Sequence, residues 1–249
     1  MLRNQTFVQL AFAHRLRLLL WSSLTGVNDW NGWKGDISHK DCYHLNMGVK
    51  AAFDPSTLDF YEVNAHTYVQ SRPDELSPDL KAFLPRLKTG SYILELGCGS
   101  GQDALAMEYL GYRIDATDGV AAMAAIANER LARGARVMRF DQLDAENEYD
   151  AVVACASLLH VPTTELSAVV RRIWSALKPG GWHFASFKTG CSSGWDNHGR
   201  YYNYLDQGSA EEFYRLVGPW SEMIFDSYEG VGYFSEPSRW LTVVARKGD

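Results

Sequence analysis

The stretch Ile93-Leu94-Glu95-Leu96-Gly97-Cys98-Gly99-Ser100-Gly101 decides the fold of this chain. An apolar run leads straight into three alternating glycines, and a helical pattern follows from Gln102. Glycine lets the backbone turn sharply and lets a ligand approach without a Cβ in the way. Asp118 follows the next strand-like stretch, about 20 residues after the first glycine, where dinucleotide folds place a ribose-binding carboxylate. The pattern predicts a nucleoside site between a strand and a helix.

Two details separate this loop from the dinucleotide fingerprint Gly-x-Gly-x-x-Gly. The third glycine of that fingerprint allows the helix to pack closely, and here its place is taken by Gln102. Glu95 lies two residues before the first glycine. A carboxylate there repels a pyrophosphate and suits a ligand that carries an ammonium and a sulfonium. The alternative interpretation is an ordinary tight turn with Glu95 facing solvent.

Strand-like and helix-like stretches alternate from residue 59 onward. Seven strands are predicted at Tyr92–Leu96, Tyr112–Thr117, Arg136–Phe140, Ala151–Cys155, Trp182–Phe187, Met223–Ser227 and Trp240–Arg246. Six helices are predicted at Phe60–Ser71, Asp79–Leu87, Gln102–Leu110, Val120–Leu131, Thr164–Leu177 and Ser209–Val217. Such alternation implies parallel strands joined by helical crossovers. We therefore expect an α/β fold with a doubly wound, mostly parallel seven-stranded sheet and helices on both faces.

The first 58 residues differ in composition and hydrophobic pattern from the rest of the chain. They are rich in Trp, Asn and Gly, and after a short helical stretch they show no sustained hydrophobic period. We predict that residues 1–58 are an N-terminal extension, either disordered or not native, and that residues 59–249 form the domain. On this interpretation the residues before Met47 are dispensable. The alternative is an extension that covers the substrate cleft, anchored by Trp30 and Trp33.

Composition and charge exclude several classes of protein. The chain has 249 residues, of which 46% are hydrophobic and 22% charged, so wholesale disorder is excluded. The net charge is -6, from 24 basic and 30 acidic side chains. Without a basic excess, nucleic acid is not predicted as a partner. No stretch reaches the roughly 18 continuous apolar residues of a membrane span, so no membrane partner is predicted.

Cysteine usage favours a reducing compartment and gives no metal site. The four cysteines are widely spaced, at Cys42, Cys98, Cys155 and Cys191. Reduced thiols and a cytoplasmic location are therefore expected. His39, Cys42 and His44 have a spacing that a metal could use, but no fourth ligand is evident. The sequence leaves the oligomeric state open.

Five stretches, in this order, carry a family resemblance: Glu95–Gly101, Ala116–Met123, Phe140–Leu143, Tyr149–His160 and Leu177–Gly181. Together they resemble the motifs of class I S-adenosylmethionine-dependent methyltransferases. The resemblance covers residues 59–247. Within the family, the sequence looks most like bacterial small-molecule methyltransferases described as tellurite-resistance-like. It implies a Rossmann-like methyltransferase fold and S-adenosyl-L-methionine as the cofactor.

The resemblance also implies which residues hold that cofactor. The glycine loop borders its methionine part and ribose, with Glu95 holding the ammonium and Asp118 accepting the ribose hydroxyls. Gly119 and Met123 flank adenine, and Asp141 accepts from the adenine amino group. The implied set is Tyr61, Tyr68, Arg72, Glu95, Gly97, Cys98, Gly99, Gly101, Asp118, Gly119, Met123, Asp141, Gln142, Leu143, Cys155, Ala156 and Ser157.

Three of these residues lie in an N-terminal helix that covers the cofactor in relatives. They are Tyr61, Tyr68 and Arg72, and Arg72 is placed to pair with the cofactor carboxylate. The alternative for all three is a position on the surface of that helix.

The implied reaction is in-line transfer of a methyl group from a sulfonium to an unidentified small-molecule acceptor. The protein then mainly positions and desolvates the reactants, and a base is needed only if the acceptor arrives protonated. Candidate catalytic residues are His160, Lys188 and Tyr201, and candidate substrate residues are His160, Lys188, Arg200 and Tyr201. Alternatively, His160 caps the following helix and the tyrosines are packing residues.

Two other functions remain open from the sequence. The first is a catalytically silent cofactor-binding module with a methyltransferase fold. The second is a nicotinamide-dependent oxidoreductase, which the glycine spacing disfavours.

Overall fold

A computed structural model describes residues 52–70, 76–190, 192–232 and 236–249. The helices are α1 Pro55–Gln70, α2 Pro78–Phe83, α3 Gln102–Tyr109, α4 Ala121–Arg130, α5 Thr163–Ala176 and α6 Gln207–Arg215. The strands are β1 Tyr92–Leu96, β2 Arg113–Asp118, β3 Ala135–Val137, β4 Tyr149–Ala154, β5 Leu177–Lys188, β6 Gly194–Trp195, β7 Tyr201–Tyr202, β8 Trp220–Val231 and β9 Pro237–Lys247. Short 3-10 turns lie at Leu84–Arg86, Phe140–Gln142 and Leu158–His160.

Seven strands form one twisted sheet in the order β3-β2-β1-β4-β5-β9-β8. The pairs from β3 to β5 are parallel, whereas β9 runs antiparallel to both β5 and β8. Strands β6 and β7 form a separate antiparallel hairpin. The predicted fold class is therefore confirmed, with the β6–β7 hairpin as an addition that the sequence pattern did not indicate.

The central strands are buried on both faces. Along β4, Val152 belongs to the hydrophobic cluster under α5 and α6, whereas Val153 belongs to the cluster under α2, α3 and α4. Leu94 and Ile93 divide in the same way on β1. Because side chains alternate along a strand, continuous apolar runs are what a sheet covered by helices on both sides requires.

Helix α1 begins at Pro55, five residues before the predicted start. It packs on α4 through a third apolar cluster that includes Ala65 and Met123. Residues 52–58, which the sequence prediction gave to the extension, contact the domain: Ala52 lies in the core and Thr57 is buried. The rest of the extension lies outside the described residues, and the domain boundary stays a prediction.

Several predicted boundaries were wrong, for identifiable reasons. The predicted strand over 136–140 ends at Val137, and Phe140 begins a 3-10 turn instead. Helix α6 begins at Gln207, two residues before its predicted start at Ser209, because Asp206 caps it by accepting from the Ser209 N–H. Strand β8 has 12 residues where five were predicted, because it is an edge strand with mixed exposure and a weak apolar pattern. Strand β9 has 11 residues where seven were predicted.

His183 on β5 is a fully buried core residue. Its Nδ1 donates to the Val152 carbonyl at 2.9 Å, and its Nε2 accepts from the Tyr214 hydroxyl at 2.8 Å. Burial lowers the pKa of this imidazole to about 4. Both ring nitrogens are therefore satisfied in the neutral state.

Among the helices of the described ranges, none combines the length and the apolar character that crossing a bilayer takes.

Candidate active site

A cleft of about 710 Å3, measured out to its open mouth, lies where β1, β2 and β4 end. Ligands of open α/β sheets bind at this edge, outside the carboxyl ends of the strands. The cleft is lined by Phe53, Thr57, Leu58, Tyr61, Tyr68, Gly97, Gly99, Asp118, Gly119, Val120, Met123, Arg139, Phe140, Cys155, Ala156, Ser157 and His160. Most of the cofactor residues implied by the family resemblance lie in this lining.

The glycine loop joins β1 to α3 through backbone conformations that favour glycine. The φ angle is +77° at Gly97, +55° at Gly99 and +75° at Gly101. Gly97 is also constrained by space, because a Cβ there would lie 2.5 Å from the Cβ of Ser157. A Cβ at Gly99 would meet no described protein atom within 4 Å. Gly99 therefore leaves a cradle open to the cleft.

Gly101 and Cys98 contribute to packing and do not line the described cleft. A Cβ on Gly101 would lie 3.1 Å from both Ala127 Cβ and Leu131 Cδ1, so the glycine lets α3 approach α4. Cys98 is buried, and desolvation raises the pKa of its thiol.

Asp118 is held at the end of β2 by two backbone donors. The Gly99 N–H donates to Oδ2 and the Val120 N–H donates to Oδ1, each at 2.8 Å. The carboxyl group is only 8% exposed, and its desolvation raises its pKa to about 6 against the effect of these two bonds. Each oxygen has a second lone pair, so the carboxylate can accept two further hydrogen bonds from the cleft.

Glu95 is buried behind the cleft, 2% exposed, and is not part of its lining. It lies on β1 in register with Ala116 and Val153 of the neighbouring strands. Its backbone carbonyl accepts from the Thr117 hydroxyl at 2.7 Å. The structure thus places this carboxylate at the base of the glycine loop, one strand across from Asp118.

The end of the cleft beyond Asp118 has an apolar and aromatic lining. Gly119 and Met123 line this end of the cleft, and the next segment contributes Arg139 and Phe140. The predicted residues that follow them have other contacts. Asp141 accepts from Arg139 Nε at 3.2 Å, Gln142 Oε1 accepts from the Arg139 N–H at 2.8 Å, and Leu143 is buried in the core.

The loop after β4 is strained and pinned from two sides. Ala156 has a φ of +49°, a conformation that costs a non-glycine residue of order 1–3 kcal/mol. Its N–H donates to Ser186 Oγ at 2.8 Å, and the Ser157 hydroxyl donates to the Leu96 carbonyl at 2.6 Å. Cys155, Ala156 and Ser157 all line the cleft.

Tyr61 of α1 and His160 face each other across the cleft. The Tyr61 hydroxyl lies 3.0 Å from His160 Nε2, and His160 Nδ1 lies 2.6 Å from the carbonyl oxygen of Tyr201. Tyr68 meets the Tyr61 ring edge-on at 5.1 Å. Desolvation, with the nearby Arg200 guanidinium, lowers the pKa of His160 to about 4, and burial also raises the pKa of Tyr61 well above its usual value.

Arg200 lies directly behind Tyr61. Its side chain is 2% exposed and pairs with Asp196 through Nε at 2.9 Å and Nη2 at 2.7 Å. Its Nη1 donates to the Tyr61 hydroxyl at 3.3 Å. The guanidinium also stacks over the rings of Phe60 and Tyr202, at 5.0 and 5.4 Å. Arg200 therefore contacts the cleft through Tyr61 and does not line it.

The other predicted substrate residues, Lys188 and Tyr201, do not line the described cleft. Lys188 Nζ pairs with Glu236 at 2.8 Å and lies 5.0 Å from the centre of the Tyr202 ring. The Tyr201 hydroxyl lies 3.1 Å from Thr163 Oγ1 at the start of α5, so it is directed to that helix. The predicted Arg72 lies outside the described residues. Across the described ranges, no group of three His, Cys, Asp or Glu side chains is arranged to hold a metal.

The β6–β7 hairpin is fastened to the start of α1. Asp54 accepts from the Thr57 N–H at 2.9 Å and from Trp195 Nε1 at 3.2 Å. The Thr57 hydroxyl in turn accepts from the Tyr201 N–H at 2.8 Å. The helix that carries Tyr61 and the hairpin that carries Arg200 are thus joined at their bases.

Sequence reasoning missed six lining residues: Phe53, Thr57, Leu58, Val120, Arg139 and Phe140. Val120 and Arg139 are direct neighbours of recognised motif positions, so proximity was the available signal. Phe53 and Thr57 carry no such signal, because they reach the cleft only through the placement of α1.

Comparison with known proteins identifies the family. The profile of a family described as a methyltransferase domain matches residues 68–222, more than half of the chain. Among curated proteins, the chain is 30% identical over 163 residues to a 23S rRNA (uracil(1939)-C(5))-methyltransferase of Dichelobacter nodosus, covering 64% of this chain and 32% of that protein. It is 35% identical over 104 residues to a ubiquinone biosynthesis O-methyltransferase of Xanthomonas axonopodis pv. citri, covering 39% and 43%. The chain thus spans less than half the length of these relatives.

Solved structures share the fold. The 1,6-didemethyltoxoflavin-N1-methyltransferase of Burkholderia thailandensis aligns with a TM-score of 0.60 at 22% identity, over 78% of this chain and 88% of that one. Phosphoethanolamine N-methyltransferase 2 of Haemonchus contortus aligns with a TM-score of 0.62 at 18% identity, over 81% and 61%. At these identities the structures show the architecture alone. With the matching family profile, they lead to one conclusion: the chain belongs to the methyltransferase domain family.

Proposed function

We propose that this protein transfers a methyl group from S-adenosyl-L-methionine to a small-molecule acceptor that carries a dissociable proton on oxygen or nitrogen. The observation that carries the proposal is one cleft that joins a buried carboxylate, Asp118, to a facing Tyr61–His160 pair. Asp118 suits the ribose of the cofactor, and the Tyr61–His160 pair suits an acceptor that must lose a proton. Structural neighbours solved with S-adenosylmethionine or S-adenosylhomocysteine support the choice of cofactor.

The residues of the cleft fit that cofactor. The two oxygens of Asp118 can accept from two adjacent hydroxyls, and the cradle at Gly99 admits a ligand where any side chain would project. The apolar lining at Met123 and Phe140 suits a flat base. When bound, the cofactor supplies an electrophilic methyl group on a sulfonium.

The Tyr61–His160 pair offers a route for the acceptor proton. The Tyr61 oxygen takes the proton from the acceptor while the Tyr61 hydroxyl gives its own proton to His160 Nε2. The result is a neutral tyrosine and an imidazolium whose Nδ1–H stays bonded to the Tyr201 carbonyl. The acceptor would keep the electron pair of its broken O–H or N–H bond and use it for the new bond to the methyl carbon, while the electron pair of the methyl–sulfur bond would remain on sulfur. Because the pKa of His160 is about 4, its imidazole is neutral at pH 7 and Nε2 can accept a proton, as a weaker base than an exposed histidine.

The acceptor is proposed to be a small molecule and not RNA. One relative acts on 23S rRNA by its name, but the net charge of this chain is -6. The tellurite-resistance-like group remains our proposed place within the family, supported by the order of the five motifs. A cytoplasmic location is also proposed, supported by cysteines without a pairing pattern.

Incubation with S-adenosylmethionine that bears a trideuteromethyl group tests the activity. Phenols, catechols, amines and nitrogen heterocycles are offered as acceptors, and mass spectrometry detects exchange of one proton for the labelled methyl. We expect a labelled product, and much less of it from Asp118→Ala at a cofactor concentration that does not saturate the variant. Binding of S-adenosylhomocysteine without a product from any acceptor would favour the silent module, and binding of NADH instead would favour the oxidoreductase.

Cofactor affinity is expected to fall in mild acid. Asp118 has a pKa of about 6 in the free protein, and only its ionised form accepts from two hydroxyls. Binding of S-adenosylhomocysteine should therefore weaken about tenfold between pH 7 and pH 5, since binding at pH 5 must first remove a proton. Calorimetry over this range measures the effect. Asp118→Asn should bind weakly at both pH values, and a wild-type affinity that does not change with pH would contradict the assignment.

A further inference from the structure

We propose that Arg200 is a positioning residue that fixes the direction of the proton in the Tyr61–His160 hydrogen bond. The proposal rests on the function proposed above and concerns the same cleft. Its starting point is a chain of hydrogen bonds from Arg200 through Tyr61 and His160 to the backbone of Tyr201, with heavy-atom distances of 3.3, 3.0 and 2.6 Å.

The two ends of this chain decide the position of every proton within it. A backbone carbonyl can only accept, so His160 Nδ1 must carry a proton and Nε2 of the neutral ring must be an acceptor. A guanidinium can only donate, so the Tyr61 oxygen accepts from Arg200. The Tyr61 hydroxyl proton is left with one acceptor, His160 Nε2. The Tyr61 oxygen keeps one lone pair, which can accept a proton from the methyl acceptor.

Arg200 is itself held in a single orientation. Asp196 binds two of its nitrogens and also accepts from the backbone N–H of Arg200 at 2.9 Å. The rings of Phe60 and Tyr202 also lie against the guanidinium, with their centres 5.0 and 5.4 Å from its central carbon. A planar fork fixed in this way loses little freedom when it donates to Tyr61. Arg200 can therefore orient the hydroxyl before any acceptor binds.

Arg200 also acts on the charge of His160. The charged and titratable groups that face the imidazole are Arg200, Lys188, Asp196, Tyr61 and Tyr202, together with the Tyr201 carbonyl. Of these, Arg200 and Lys188 disfavour the imidazolium, whereas Asp196 and the carbonyl favour it. Removing the guanidinium would leave Asp196 unbalanced, and the pKa of His160 should then rise.

Nitrogen NMR of the histidine rings tests the proposal without an acceptor. The chain has seven histidines, and His160→Gln identifies the His160 signal by its loss. In the wild type we expect the Nδ1–H tautomer, a bonded Nε2 and no protonation until well below pH 6. In Arg200→Gln we expect the midpoint of the His160 pH titration to rise by about one pH unit. The Nε2 signal should also move toward its position in Tyr61→Phe, where the hydroxyl is gone.

His183 is a matched internal control. It has the same arrangement of a carbonyl on Nδ1 and a tyrosine hydroxyl on Nε2, but no arginine donates to that tyrosine in the described structure. Its signals should stay the same in every variant that folds. Arg200→Lys keeps the charge but cannot bind Asp196 in two places and reach Tyr61, so it should shift the Nε2 signal and leave the midpoint near the wild-type value.

An unchanged midpoint and an unchanged Nε2 signal in Arg200→Gln, with His183 intact, would overturn the proposal. If Arg200→Gln loses the His183 signals, Arg200→Lys decides the question through the Nε2 signal. Both readouts are independent of turnover. A failure to find any methylated product would therefore reject the proposed function and leave the role of Arg200 to be judged on the NMR result alone.

Discussion

Replacement of Gly97 by alanine should destabilise the protein by about 3 kcal/mol or more and abolish cofactor binding. A left-handed φ costs a non-glycine residue about 1–3 kcal/mol, and overpacking adds a further 1–3 kcal/mol or so. Both apply here, because φ is +77° and the new Cβ would lie 2.5 Å from that of Ser157. The melting temperature should drop by roughly 6 °C or more, as a domain of this size loses about 2–4 °C per kcal/mol.

The matched control is Gly99→Ala. Its φ of +55° carries a similar backbone cost, but its Cβ would meet no described atom within 4 Å. Gly99→Ala should therefore lose clearly less stability than Gly97→Ala and still weaken the binding of S-adenosylhomocysteine. Thermal melts and calorimetry on the pair separate packing from ligand approach. Equal stability losses would show that the contact with Ser157 does not constrain Gly97.

Asp118→Ala should weaken the binding of S-adenosylhomocysteine roughly ten- to a hundredfold and leave the fold intact. Hydrogen bonds to a charged group contribute about 1.5–3 kcal/mol, which corresponds to that range of affinity. The fold should survive because two effects offset each other. The variant leaves the Gly99 and Val120 N–H groups without their acceptor. It also removes a buried carboxylate whose pKa of about 6 lies above its ordinary value of 3.8, a shift that costs the folded state about 3 kcal/mol at pH 7.

Calorimetry at pH 7 gives the affinity, and a thermal melt without ligand gives the stability. Asp141→Ala is a suitable control, because Asp141 lies near the cleft but is paired with Arg139 and does not line it. It should bind far better than Asp118→Ala. Equal affinities for the wild type and Asp118→Ala would show that the carboxylate does not hold the ribose.

The sequence predicted the sheet well because its signals are local. Glycines, a strand-terminal carboxylate and alternating apolar runs all act within a few residues, so β1 was predicted with its observed bounds and the other central strands nearly so. Edge elements were predicted less well. Strand β8 shows only a mixed apolar pattern, and the β6–β7 hairpin has two residues per strand. Their pairing depends on tertiary contacts that no short window contains.

The candidate site divides in the same way. The residues at the ends of β1, β2 and β4 were named through the family resemblance, whose motifs are each continuous in the chain. The contact between Tyr61 and His160 joins positions 99 residues apart, and the Arg200–Tyr61 bond joins positions 139 residues apart. Each residue was named as a candidate, but their connection follows from how α1 and the hairpin pack, which sequence periodicity does not encode.

The bonds between α1 and the β6–β7 hairpin make the two ligands of the cleft thermodynamically reciprocal. Tyr61 and Tyr68 of α1 line the cleft, while Arg200 on the hairpin reaches it only through Tyr61. Because Asp54 and Thr57 join the two elements, ordering one also orders the other. A ligand that orders α1 next to Asp118 would therefore also order the hairpin and raise the affinity for the second ligand. Linkage then requires the second ligand to raise the affinity for the first by the same factor. The two ligands should therefore bind cooperatively, whichever of them enters first.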